Sequence, residues 1–566
     1  MTGPAAPPGR ALPTAPPAAR ASAGGAEPAD ARTIVAQHPF DPDPGTRRPV
    51  EAARRLLPGL TAPFRPPRPM PHRFSLVALL VLLGWAAAPA AQPTRSPDAL
   101  AGRVDAVLDT RSFDDAYWGG LVVDLETGAV LYERNASKRF VPASNMKLLT
   151  TAAALDALGP DFRYTTRLYA GGDVQNGTLR GSLVVRGSGD PTFGGRYTGG
   201  DLTLVFRQWA DSLKAAGIRR VTGPVVGDDD VFDDVSLGEG WSWDDLVWYY
   251  GAEVSGLQFA EGTVDVALHG TSPGQPARVE VEPDFGYVRL VNQTTTTAGG
   301  GVREGYSRDL GDNVFTLTSS VPAGRVEREA LSVVNPTDYF VTTMIGVFRQ
   351  RGIDVRGEAV DVDEWGRRPQ YESLRRIASH QSPRLAAIVA ETNTDSNNLY
   401  AEHLLRTLGA HAYRGANLPR GSARAGAAAA EPFLRRIGVD PVSFRIADGS
   451  GLSALNRLTP VGIVAVLRGM HQHADAATRD AFYRSLAVGG LTGTIKNRYG
   501  SGDARGNVHA KTGYISGART LSGYVRAANG HLLAFSLLCN NYTVRTSRVN
   551  RAQDQIVELL ADYEGQ

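Results

Sequence analysis

The sequence predicts a mixed α/β protein of the α+β kind: an antiparallel sheet flanked by helices, interrupted by a long β-rich insertion. Three observations predict it. Apolar strand-like runs occur toward both ends of the chain, a helix-periodic segment accompanies each set, and the stretch between them reads as short alternating strands punctuated by Gly, Asp and Asn.

Taken in order, residues from Pro97 to about Arg111 carry helical periodicity. Gly119-Gly-Leu-Val-Val-Asp-Leu and Ala129-Val-Leu-Tyr-Glu-Arg flank the turn Glu126-Thr-Gly128, the pattern of a β-hairpin. The chain then reaches Pro142 and a second helix start. Residues 166–380 change character, with runs such as Leu179 to Arg186 and Ala277 to Glu282. This length exceeds one modest domain, so one or two inserted subdomains are expected. Strands follow at Asn507 to Thr512, Thr520 to Arg526 and Leu532 to Cys539, and a final amphipathic helix at Arg551 to Tyr563. The expected division is therefore one domain from residues 97–165 and 381–566, with 166–380 inserted. No solenoid-period repeat is present.

Composition narrows the function. The chain has 566 residues, 42% hydrophobic and 21% charged, enough to bury more than one core. A net charge of +2 gives no electrostatic reason to expect a nucleic-acid partner. The single cysteine, Cys539, lies in an apolar run, which removes intrachain disulfides, thiol catalysis and cysteine metal sites and leaves the role of a small buried hydrophobe.

Residues 1–69 are rich in Ala, Pro and Arg and lack apolar periodicity, so disorder is expected. Met70-Pro-His-Arg-Phe-Ser, an apolar run to Trp85, and the small residues from Ala86 have the shape of a secretory signal over 70–91, cleaved near Ala90 or Ala91. Its apolar core is shorter than the ~20 residues a spanning helix needs, so export without a stable membrane span is expected. Because such a signal belongs at an extreme N-terminus, translation is expected to start at Met70, leaving 1–69 untranslated.

Chemistry concentrates in three segments. Ser144 and Lys147 stand three apart at a helix start, which places hydroxyl and amine on one face. A lysine whose pKa is lowered by burial or nearby cations can take the serine's proton, and the helix start offers N–H groups to developing negative charge. Ser396-Asn397-Asn398 puts a hydroxyl and an amide at a second helix start, where a polar cap is the simple alternative. Lys511-Thr512-Gly513-Tyr514 follows a strand pattern, with a glycine that admits a ligand to the backbone and a solvated edge lysine as the simple alternative. Singly these are weak signals. In this order they resemble the Ser-x-x-Lys, Ser-Asp-Asn, Lys-Thr-Gly set of penicillin-binding proteins and class A β-lactamases, with Asn397 in place of the commoner Asp.

Further segments extend the likeness: Gly187-Ser-Gly-Asp-Pro-Thr192, Val221 to Asp228, Trp241-Ser-Trp-Asp-Asp245, Tyr250 to Leu257, Asp448-Gly-Ser-Gly-Leu-Ser453 and Leu486 to Asn497. With them the chain resembles the D-alanyl-D-alanine carboxypeptidase/endopeptidase family, the class C low-molecular-mass penicillin-binding proteins of serine peptidase family S13. The long gap between Ser144 and Ser396 fits, since that family carries its extra domains there. The resemblance implies a transpeptidase-like domain and acyl transfer on peptidoglycan stem peptides, inhibited by β-lactams and needing no cofactor or metal. It implies Ser144 as nucleophile, Lys147 as base and Ser396 as proton relay. Asn398 would hold a substrate amide, and Lys511 and Thr512 the terminal carboxylate. The N–H groups of Ser144 and Tyr514, the latter brought in past Gly513, would bind the oxyanion. Two departures stand out: Tyr514 where the family usually has Thr, and Asn397 in the middle of the second motif, a side chain expected to point away from the pocket. Asp245, with Trp243 or Tyr250 as a wall, is a candidate reader of the stem peptide's free amine.

Other patterns are set aside. His471 and His473, two apart, do not share a helix face as metal ligands would. Gly187-Ser-Gly-Asp lacks the Lys-Ser/Thr of a phosphate loop. His509 shares a strand face with Lys511 and is expected to modulate local charge. Two rival functions remain at this stage: a β-lactamase or esterase using the same serine, and a non-catalytic cell-wall binding protein.

Overall fold

The computed structural model describes residues 96–565. The N-terminal extension and the signal segment lie outside the described residues.

Segments from near the two ends of the described residues meet in one sheet. Its six strands run in the order Ala487–Val488, His509–Ile515, Ala518–Arg526, Leu532–Asn540, Tyr117–Asp124, Val130–Arg134, and every neighbouring pair is antiparallel. Tyr117 pairs with Asn540 and Asp124 with Leu533, so the first strand lies along the whole of the last.

The central strand Leu532–Asn540 is buried at every position, which explains its continuous apolar run. Successive side chains alternate between faces. Leu533, Phe535, Leu537 and Cys539 pack with the helices Pro97–Leu108 and Thr546–Ala561. Leu532, Ala534 and Leu538 join the core of the opposite face, built on the helices Met146–Leu158, Asn398–His411 and Pro460–His471. Each such leucine or phenylalanine contributes about 1.5–3 kcal/mol through burial.

Some element ends differ from the sequence reading. The first helix stops at Leu108 because Asp109 and Thr110 are poor helix formers and Thr110 is already extended. The last helix begins earlier than read, at Thr546, and its polar first turn hides the buried Val549. The third-motif strand continues to Ile515, so Gly513 and Tyr514 are laddered to Thr520 and Arg519 rather than lying in a loop.

Between Thr165 and Gln381 the chain forms a seven-stranded mixed sheet. The long hairpin Thr165–Gln175 and Thr178–Arg186 is antiparallel, while Thr178–Arg186 pairs in parallel with Arg220–Val221 and Val225–Asp228. The helices Leu204–Ala215 and Pro336–Gln350 bury their apolar faces in the core of this region. A three-stranded antiparallel sheet, Val326–Ser332, Thr263–His269 and Arg278–Glu282, adds to it. Among the described residues no helix is long and apolar enough to cross a membrane.

Candidate active site

Ser144 lies in the 3-10 turn Ala143–Asn145, immediately before the helix Met146–Leu158. Lys147, one turn on, is fully buried. Its Nζ lies 3.0 Å from Ser144 Oγ, 2.7 Å from Asn398 Oδ1 and 2.7 Å from the Ser450 carbonyl. A protonated amine can donate to all three, whereas a neutral one has two N–H groups and one lone pair. A side-chain carbonyl and a backbone carbonyl only accept, so they take the two N–H groups. The lone pair is left facing Ser144 Oγ, the one partner that carries a proton to give.

Burial pulls the Lys147 pKa down to about 7, against the opposing charges of Asp448 and Glu402. The amine is therefore neutral in a substantial fraction near physiological pH. Asn398 is oriented by its other end, whose Nδ2 donates to the Tyr250 carbonyl at 2.9 Å.

The second and third segments meet at Lys511. Its Nζ donates to Ser396 Oγ at 2.7 Å and to the Thr512 carbonyl at 3.0 Å. Burial holds the Lys511 pKa well below the lysine range, and the charges of Lys147 and Arg519 push the same way. Ser396 adopts φ +64°, a conformation unusual for a residue with a Cβ, at the corner that opens the helix Asn398–His411. Thr512 Oγ1 donates to Thr494 Oγ1 at 2.8 Å.

Asn397 faces elsewhere. Its Oδ1 caps the helix by accepting from the Tyr400 N–H, and its Nδ2 donates to Glu261 at 2.8 Å.

The Ser144 turn is pressed against the third-motif strand. A Cβ on Gly513 would lie 2.9 Å from the Ser144 nitrogen and 2.8 Å from the Pro142 carbonyl, so only glycine permits this approach. Thr520 Oγ1 donates to the Pro142 carbonyl at 2.8 Å. Asn145 is fully buried; its Nδ2 donates to the Lys511 carbonyl at 2.8 Å and its Oδ1 accepts from Ser522 at 2.7 Å. On the other side, a Cβ on Gly451 would fall 1.9 Å from the Ala143 carbonyl.

Ser144, Lys147 and Asn398 are thus joined by one set of hydrogen bonds and Ser396, Lys511 and Thr512 by another, with Gly513 against the Ser144 turn. Tyr514 is half-buried, with the Arg519 guanidinium 6.0 Å from its ring centre. The peripheral candidates separate. Tyr250 donates its hydroxyl to Asp245 at 3.2 Å and lends its carbonyl to Asn398, while Trp243 stands 75% exposed on the 3-10 turn Trp243–Asp245. His509 stacks on Tyr483 at 4.4 Å between ring centres, and burial lowers its pKa.

The sequence model of the D-Ala-D-Ala carboxypeptidase 3 (S13) family matches residues 100–563. The chain belongs to this family. It is 32% identical over 481 residues to a D-alanyl-D-alanine carboxypeptidase of Actinomadura sp. (strain R39), covering 82% of this chain and 84% of that protein. It is 27% identical over 434 residues to D-alanyl-D-alanine carboxypeptidase DacB of Haemophilus influenzae, covering 75% and 85%. The crystal structure of penicillin binding protein 4 (dacB) from Haemophilus influenzae shares the fold, with a TM-score of 0.69 at 24% identity, over 81% of this chain and 99% of that one.

In this S13 chain, sequence reasoning assigned no role to four residues at the site: Asn145, Glu402, Asp448 and Ser450. Asn145 sits inside the Ser-x-x-Lys spacing, where its long-range partners are invisible. Glu402 is four residues after Asn398 and so on the same helix face, a signal that was available. Asp448 and Ser450 belong to the Asp448 to Ser453 segment, whose contact with Lys147 is made only in three dimensions.

Proposed function

We propose that this chain is a serine-type D-Ala-D-Ala carboxypeptidase/endopeptidase that cleaves peptidoglycan stem peptides through an acyl-enzyme on Ser144. The observation that carries the reading is the Lys147 amine, buried and within 3.0 Å of Ser144 Oγ, whose other two partners are acceptors only. Ser144 Oγ attacks the carbonyl carbon of the D-Ala-D-Ala bond while its proton passes to Lys147. The oxyanion is held by the N–H groups of Ser144 and Tyr514; one such donor is typically worth about 10²–10³ in rate. As the C–N bond breaks, a proton reaches the leaving amine through Ser396, which the Lys511 amine holds in place. D-Alanine departs and water hydrolyses the ester.

Asn398 binds a substrate amide, and Lys511 with Thr512 binds the terminal carboxylate. Tyr514 supplies its backbone, leaving no hydroxyl of a threonine at that position. β-Lactams acylate the same serine. Asp245, with Trp243 and Tyr250, recognises the free end of the stem peptide's diamino acid. Residues 97–165 and 381–566 form the catalytic domain and 166–380 the insertion. The substrate lies beyond the cytoplasmic membrane, in keeping with export by the 70–91 signal to the periplasm or an equivalent cell-wall compartment.

The test is incubation of the wild type and Ser144→Ala with penicillin and with a D-Ala-D-Ala stem peptide, followed by intact mass and D-alanine release. A wild type that forms no adduct and releases no D-alanine overturns the mechanism. An adduct lost rapidly to water points instead to a β-lactamase or esterase.

A further inference from the structure

We infer that Glu402 is a positioning residue for acyl transfer: by holding the backbone N–H groups of Gly449 and Ser450, its carboxylate, together with Asp448 on the Gly451 N–H, keeps the Ser450 carbonyl on the Lys147 amine. The inference rests on the reading of Lys147 as the base of Ser144.

The helix Asn398–His411 serves the lysine twice. Asn398, its first residue, touches Lys147 Nζ directly. Glu402, one turn later on the same face, acts at a distance. Its Oε1 accepts from the Gly449 N–H at 3.0 Å and the Ser450 N–H at 2.7 Å, and its Oε2 accepts from the Gly449 N–H at 3.1 Å. The rest of the loop is fastened elsewhere. The Gly449 carbonyl accepts from Thr150 at 2.8 Å. The Asp448 carboxylate accepts from the Gly451 and Ser453 N–H groups, from Asn456 and from the Trp241 indole. The Ser450 carbonyl shares its peptide plane with the Gly451 N–H, which donates to Asp448 at 2.8 Å, while Glu402 fixes the preceding peptide through the Ser450 N–H; between them they set the Ser450 carbonyl on Lys147 Nζ at 2.7 Å.

Glu402 is only 1% exposed. Burying a carboxylate is costly, and an apolar side chain would fill that space at lower cost. The return is orientation. When the amine is neutral, its lone pair points at Ser144 only if both N–H groups have fixed acceptors. If the Ser450 carbonyl swings away, one N–H is free to turn toward Ser144 Oγ as a competing donor.

Glu402 also acts through charge. The charged and titratable groups facing this cluster are Lys147, Asp448, Arg406 on the next turn of the same helix, and Lys511 on the strand His509–Ile515. Burial, with the neighbouring Asp448, raises the Glu402 pKa to about 7, so its carboxylate is ionised mainly above that value; once ionised it favours the ammonium form of Lys147, opposing burial. Removing that charge moves the acidic limb of acylation to lower pH even as lost orientation lowers the plateau.

The experiment measures the acylation rate constant with a fluorescent penicillin from about pH 5.5 to 9 for wild type, Glu402→Gln, Glu402→Asp and Lys147→Ala. Adduct yield by intact mass counts the competent fraction, so partial misfolding lowers the yield and leaves the rate constant interpretable. The expected result for Glu402→Gln is a plateau lower by about 10- to 100-fold, as for loss of a buried charge-assisted hydrogen bond, with the limb shifted to lower pH. Glu402→Asp, which keeps the charge, returns the limb toward the wild-type position. A Glu402→Gln plateau within about twofold of wild type with an unmoved limb overturns the inference while leaving the base assignment intact. Wild-type acylation by Lys147→Ala overturns the base assignment itself.

Discussion

Gly513 and Ser144 meet backbone to backbone: a Cβ built on Gly513 would lie 2.9 Å from the Ser144 nitrogen, with Thr520 Oγ1 only 2.2 Å away. The third-motif strand and the Ser144 turn therefore share a seam with no room for a methyl group. Gly513→Ala is expected to push the two apart. A displacement near 1 Å at a reacting group typically costs on the order of 100-fold in rate, so the acylation rate with penicillin is the measurement. An unchanged rate means that the seam does not position the serine.

The pH dependence of acylation is expected to follow Lys147. With its pKa near 7, the amine is protonated and its lone pair occupied below that value. Acylation is expected to fall by about tenfold per pH unit on the acidic side and to level off above the limb. The stability link has a definite sign. The unfolded chain holds this proton up to the ordinary lysine value of 10.5 while the native site releases it from about 7, so in this window the unfolded state binds more protons. This residue therefore makes stability rise with pH between those values. An acylation profile that stays flat from about pH 5.5 to 8.5 rules out Lys147 as the titrating base.

Asn145 ties the first motif to the third. Asn145→Ala leaves the buried Lys511 carbonyl and Ser522 hydroxyl each without one partner, although Ser522 retains Ser536 at 3.0 Å. The expected loss is about 1–3 kcal/mol of stability, read from the denaturant midpoint. A midpoint equal to that of wild type shows that water replaces the amide.

Asp245 is the test of side-chain recognition. Asp245→Asn removes a negative charge while keeping an acceptor for the Tyr250 hydroxyl. Cleavage of stem peptides with a free amine is expected to weaken selectively, by about 10-fold in kcat/KM, while peptides with a capped amine are cleaved as before. Equal rates on both substrates in the variant and the wild type dismiss the assignment.

The sequence by itself determined the fold class and the family. Alternating apolar runs mark strands, and Leu532 to Cys539, apolar on both faces, marks the strand with a core on each side. Spacing also carried local chemistry, because three residues along a helix place Ser144 and Lys147 on one face whatever the rest of the chain does. Only the tertiary structure decided what surrounds that pair. Asn398 and Ser450 lie 251 and 303 residues from Lys147 in sequence yet supply its two fixed acceptors. The Lys147 pKa follows from burial, a property of the assembled core that spacing cannot encode. The role of Asn145 was hidden for the same reason, because its partners, the Lys511 carbonyl and the Ser522 hydroxyl, are brought to it only by folding; Glu402 is placed on the Asn398 face by spacing alone, but the backbone N–H groups it holds are supplied by folding.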